Sequence, residues 1–220
     1  MNIWITSDSH FGHRNIVRGI TKWTEHCPIT NQLIPSVHNT RDFQSLEEMN
    51  DIIIENINKV VKPNDTLWHL GDVAFSGDEM IQEFSDRVNC KNVNLILGNH
   101  DHRIVNNPEL QKNFKSISTT YGWPHGKKIG GRSFSMCHFP MFVWENHLRG
   151  AFHLHGHCHG SLKNEEFTNR KVMDVGIDTH PEFRPYHIDE IIKILDARSV
   201  HTVDHHKNRV QISKNGRQED

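Results

Sequence analysis

Apolar and polar positions alternate at the start of the chain. Between Asn2 and Ser7, Ile3 and Ile5 fall on one face and Trp4 and Thr6 on the other, which predicts a short strand ending at Asp8. From Leu46 the period changes. Leu46, Met49, Ile53, Ile57 and Val60 recur at three- and four-residue steps behind the capping box Ser45-Leu-Glu-Glu48, predicting an amphipathic helix that stops before Lys62-Pro63. Next come a strand at Thr66 to Leu70, a helix opened by Ser76-Gly-Asp-Glu79 with Ile81, Phe84 and Val88 on one side, and a strand at Val93 to Leu97. This alternation predicts an α/β layered fold with its chemistry at the carboxyl ends of strands.

Beyond Gly122 the pattern shifts. Arg132 to Cys137, Ala151 to Leu154 and Lys171 to Ile177 read as strands with little helix between them, so a second, more antiparallel sheet is expected. Ile188 to Leu195 reads as a short helix introduced by Asp189. The stretch from Ile20 to Arg41 lacks periodicity and carries Pro28 and Pro35, so it reads as a surface excursion shaping a substrate entrance. Residues 1–204 are expected to form one domain and 205–220 a polar tail.

Composition narrows the partners. A net charge of −2 gives no general attraction to polyanions, so no long nucleic acid is expected. No apolar run nears the roughly 20 residues that span a bilayer, and Met-Asn-Ile-Trp-Ile-Thr does not resemble a secretory leader, so a cytoplasmic protein without membrane contact is expected. Four cysteines without a CxxC pair fit reduced thiols. The 19 histidines are the departure from the ordinary, and histidine is the commonest metal ligand.

Five short motifs gather carboxylates, amide and imidazoles at the ends of apolar runs: Asp8-Ser-His10, Gly71-Asp72, Gly98-Asn99-His100-Asp101, His138 in Cys-His-Phe-Pro, and Gly156-His157-Cys-His159. Mixed oxygen and nitrogen donors from separate segments suit divalent transition metals. Singly each motif is weak. In this order they resemble the calcineurin-like metallophosphoesterase superfamily, whose motifs DxH, GD, GNH(D/E), H and GHxH all occur here without a departure.

The resemblance implies a four-layer α-β-β-α sandwich of two mixed β-sheets flanked by helices. It assigns one metal ion to Asp8, His10, Asp72 and His159, and a second to Asp72, Asn99, His138 and His157, with Asp72 bridging. The donor set favours Mn²⁺, with Fe, Ni²⁺ or Zn²⁺ as further candidates, over Ca²⁺. Two such cations activate a water as hydroxide for attack on phosphorus. In the family pattern the residue at His100 faces the leaving group, so it is expected to act as general acid or transition-state hydrogen-bond donor, with Asp101 orienting and charge-stabilising its ring. His13, Arg14 and Arg103 are candidate phosphate contacts.

The expected activity is hydrolysis of a small phosphomonoester such as a nucleotide. Diesterase activity on cyclic nucleotides or nucleic-acid ends is the alternative enzyme, and a silent metal-stabilised binding scaffold the alternative outside enzymes. His153 and His155 read as packing or surface residues, and His69 as filling space behind the site.

Overall fold

The structure, a computed structural model, describes residues 2–17, 41–122 and 127–200. Its elements are β1 (Ile3–Thr6), α1 (Leu46–Val60), β2 (Thr66–His69), α2 (Asp78–Arg87), β3 (Asn92–Ile96), α3 (His102–Asn106), α4 (Pro108–Gln111) and β4 (Ser116–Ser118). There follow β5 (Thr120–Tyr121), β6 (Lys127–Ile129), β7 (Arg132–Cys137), β8 (Phe152–His155), α5 (Glu165–Thr168), β9 (Val172–Asp174), β10 (Tyr186–His187) and α6 (Ile188–Asp196).

The first sheet runs β10-β1-β2-β3-β4, with β1 to β4 parallel and β10 antiparallel at the edge beside β1. Its parity follows the sequence. Ile5, Leu70 and Ile96 face the second sheet, meeting Phe134, Met136, Phe152 and Leu154 in one buried core. Leu67, Val93 and Leu95 face the other way, under Ile53 and Ile57 of α1 and Ile81 and Phe84 of α2. The Ser45 hydroxyl accepts the Glu48 N–H and caps α1, an interaction worth about 1 kcal/mol.

The second sheet runs β5-β7-β8-β9, with β6 also paired to β7. It is less antiparallel than the sequence suggests. Only β5 and β6 run against β7, while β7, β8 and β9 are parallel. The chain returns between the parallel strands by crossovers of 139–151 and 156–171 that contain little regular helix and so leave no helical period to read. The outer face of this sheet is therefore covered thinly, by α5 and the 139–150 crossover, with Trp144, Phe167 and Val172 in a small third cluster. Two mixed sheets with flanking helices form the expected sandwich, and its fourth layer is mostly loop.

Two helix starts differ from expectation. Gly77, not Ser76, caps α2, and the Ser76 hydroxyl instead donates to the Gly12 carbonyl. In α6 the cap is His187, whose ring accepts the Asp189 N–H while Glu190 accepts the His187 N–H. Most of the excursion from Ile20 and the whole tail 205–220 lie outside the described residues. Arg41, where the excursion ends, is buried. Among the described residues no helix is long and apolar enough to cross a membrane.

Glu190 also receives Arg184, at 2.8 Å and 3.1 Å, and that hydrogen bond pushes its carboxyl down from 4.5 to about 2. A depressed carboxyl stabilises the fold above the unfolded value, and the benefit is lost as pH falls from about 4.5 towards 2. Glu190→Gln keeps the cap acceptor and removes the charge. At pH 7 it should cost under about 1 kcal/mol, because the pair is partly exposed, and thermal melts should show the difference from wild type vanish near pH 2.

Candidate metal centre

The motifs converge where strands of both sheets end. Backbone bonds tie the segments together: Asp8 N–H donates to Gly71 at 2.9 Å, His10 N–H to Asp72 at 3.0 Å, Gly156 N–H to His138 at 2.9 Å and Ile177 N–H to Ser7 at 2.9 Å. Two glycines make this approach possible. A Cβ at Gly98 would collide with the carboxylate and nitrogen of Asp72, and one at Gly156 with Ser7 and Asp8.

Asp8, His10, Asp72, His157 and His159 all adopt left-handed backbone, with φ of 55°, 46°, 56°, 68° and 48°. Non-glycine residues held there carry strain of about 1–3 kcal/mol each, and such strain gathers at functional sites. The turns aim successive side chains inward where a regular strand would alternate them.

Two groups of donor atoms result. Atoms of Asp8, His10 and His159 lie within 4.8 Å of one another, as do atoms of Asp72, His138 and His157. Asp72 joins them, its Oδ2 lying 3.6 Å from His10 Nε2 and 3.3 Å from His138 Nε2. Asn99 Oδ1 stands 3.0 Å from both His138 Nε2 and His157 Nδ1. All seven residues expected to ligate metal are thus gathered at one place.

Their charge balance calls for cations. Burial, helped by the charges of His159 and Arg41, pushes His10 well below the ordinary histidine range and leaves it neutral. Burial raises the Asp8 carboxyl to about 7, more than nearby His159 and His138 offset. Burial opposes ionisation of Asp72 too, but the His138 hydrogen bond and charge outweigh it and hold the carboxyl below its usual range. His138 is lifted to about 9, its burial overcome by Asp72. Divalent cations would supply the positive charge these buried carboxylates call for and displace the shared protons. The residues therefore fit two divalent metal ions.

Supporting contacts fix ring orientation. His138 Nδ1 donates to the Leu70 carbonyl at 2.8 Å, turning Nε2 inward. His159 Nδ1 donates to Asp178 at 2.7 Å, and Arg41 donates to the same carboxylate at 3.3 Å. Arg41 also donates to the carbonyls of Asp8 at 2.6 Å and Ser9 at 3.2 Å. Sequence reasoning missed both. Asp178 follows β9 just after Gly176, the strand-end signal the other motifs share, whereas nothing local marks Arg41. His69 is fully buried and shares a 2.8 Å hydrogen bond with the Ser9 hydroxyl, bracing the same loop.

Other expected site residues fare unevenly. His100 is half-buried beside the metal-binding groups, its ring centroid 5.6 Å from His10, and its backbone N–H donates to Asp72 Oδ1 at 2.9 Å. Asp101 does not serve that ring. Its buried carboxylate accepts the N–H groups of Gly98, Asp72 and Val73 at 2.8–3.1 Å, because these turn amides have no sheet partners; it is a clamp between two loops. His13 stacks on Phe75 at 3.9 Å with its Nδ1 3.3 Å from His10 Nδ1. Arg14 is exposed, and Arg103 pairs with Asp78 at 3.1 Å on the surface. His153 and His155 are buried packing residues.

A mixed-sheet α/β sandwich with carboxylates and imidazoles converging at its strand ends defines a metallohydrolase-type scaffold. The chain belongs to the calcineurin-like phosphoesterases, whose family model matches residues 1–209. That family carries out metal-dependent phosphoester hydrolysis. An uncharacterized protein of Methanocaldococcus jannaschii is 27% identical over 203 residues, covering 90% of this chain and 93% of its own. The gene 66 protein of Mycobacterium phage L5 is 25% identical over 227 residues, with 91% and 99% covered. The crystal structure of a protein of unknown function from Aquifex aeolicus shares the fold, with a TM-score of 0.60 at 20% identity over 88% of this chain and 98% of that one.

Removing the Asp178 carboxylate takes away the 2.7 Å acceptor of the His159 ring and one partner of Arg41. Asp178→Ala should weaken Mn²⁺ binding about 10–100-fold by calorimetry, as loss of a ligand's orienting partner typically does. Unchanged affinity would show that this partner does not orient His159.

Proposed function

We propose that the protein hydrolyses a small phosphomonoester, such as a nucleotide, with two divalent cations, Mn²⁺ preferred. Asp8, His10, Asp72 and His159 would hold one and Asp72, Asn99, His138 and His157 the other. The observation that carries this reading is Asp72 Oδ2, placed between His10 Nε2 and His138 Nε2, where one carboxylate can serve both groups. When bound, the cations supply Lewis acidity, lowering the pKa of water and offsetting phosphoryl charge.

The chain's own residues do the rest. Asn99 contributes a neutral oxygen, which keeps the donor set from becoming too anionic to receive a phosphoryl group. His100 stands outside both donor groups with a half-buried imidazole, suited to protonating the leaving oxygen. Its backbone N–H donates to Asp72 Oδ1 at 2.9 Å, which ties the proposed proton donor to the shared carboxylate. Asp101 acts through the loop, fixing Gly98 and so the Asn99–His100 turn. His13, braced on Phe75 beside His10, is the best placed of the three candidate phosphate contacts, because Arg103 is engaged by Asp78.

Activity should be assayed with Mn²⁺ on nucleoside monophosphates, cyclic nucleotides and generic mono- and diesters. Wild type should turn over monoesters. Asp72→Asn should abolish turnover, and His100→Ala should lower kcat about 10²–10⁴-fold while retaining its metal. Metal binding without turnover on any ester would favour a scaffold instead, and preference for diesters would shift the reading to a phosphodiesterase.

A further inference from the structure

The loop that follows His138 has no role in the site as described, yet it is built with care. Phe139, Phe142 and Val143 are 45%, 49% and 51% exposed, half of the six exposed large apolar side chains among the described residues, within five positions. Apolar groups exposed together beside a polar site mark binding surfaces more often than singly exposed ones do.

The loop is pinned from beneath. Buried His153 accepts the Met141 N–H at 3.0 Å on Nε2 and donates from Nδ1 to the Ser135 carbonyl at 3.0 Å. Burial lowers its pKa to about 3, so the neutral ring keeps one donor and one acceptor. Buried Arg170 donates to the Phe142 carbonyl at 2.7 Å and lies 3.9 Å under the Phe142 ring. Trp144 donates to the Ala151 carbonyl at 2.8 Å. These bonds anchor the residues that follow Phe139, whose own ring stays 45% exposed.

Phe139 touches the donor groups directly. Its ring centroid is 4.7 Å from that of His157 and 5.0 Å from that of His138, in edge contacts with interplanar angles of 61° and 79°. His157 and Asn99 are the exposed members of the ligand set, so this is the side open to solvent. A phosphoryl group seated there would carry its organic substituent past Phe139.

We infer that Phe139 is a platform for a flat, uncharged ring on the substrate, an aryl group or nucleobase attached to the phosphoryl group. The inference rests on the phosphoesterase reading and narrows its substrate to esters of aromatic or nucleoside alcohols. Stacking on one aromatic side chain is worth roughly tenfold or more in affinity, with little dependence on which ring is bound.

Binding of phenylphosphonate and methylphosphonate to the Mn²⁺-loaded protein tests this without turnover. Calorimetry should show phenylphosphonate favoured about tenfold by wild type, the preference lost in Phe139→Ala and kept in Phe139→Trp. Equal affinity of wild type for the two, binding of neither, or a preference surviving in Phe139→Ala would overturn the inference. Failure of the phosphoesterase reading would appear separately, as absence of turnover across the ester panel while phosphonate discrimination persists.

Discussion

Two carboxylates, Asp8 and Asp72, are buried where both sheets end, and the cost of keeping charge there shapes the surrounding structure. A buried carboxylate without enough positive charge either takes up a proton or destabilises the fold. Asp8 leans to the first course, and Asp72 stays ionised through the hydrogen bond and charge of His138, with the His100 N–H and His10 adding to them. Metal ions would resolve both at once. The imidazoles of His10 and His159 beside Asp8, and of His138 and His157 beside Asp72, are the nitrogen donors that such ions would add to carboxylate oxygen once the shared protons are displaced.

Holding these groups together works against the backbone, since five of the seven carry left-handed φ values. The strain persists because the turns are over-determined. Asp101 binds three amides of two loops, Arg41 binds the carbonyls of Asp8 and Ser9, and the missing side chains of Gly98 and Gly156 let the loops touch. The same logic extends outward through Asp178 to His159 and through His153 to the loop bearing Phe139. Buried polar residues that look redundant in composition are thus fasteners for the site.

Much of this was legible in advance. Periodicity marks α1 and α2, which run over several turns, and β1 to β3 stand out as short apolar runs that end in the Asp, Gly and Asn of the site motifs. The ligand motifs are legible because each follows an apolar run. The two-residue strands β5 and β10, and the crossovers that make β7 to β9 parallel, are too short or irregular to leave a period. Adjacency of Asp101 to His100 in sequence says nothing of direction at a turn, and the amides of Gly98, Asp72 and Val73 take its carboxylate. Arg41 was illegible because its partners lie across the fold.

On the proposed reading, the seven donors form one centre for two cations sharing Asp72. The direct measurement is electron paramagnetic resonance of the protein titrated with Mn²⁺. Two equivalents bound per chain with an exchange-coupled signal would be the predicted result, since ions sharing a carboxylate lie close enough to couple. A single equivalent, or two that give only isolated Mn²⁺ spectra, would contradict it.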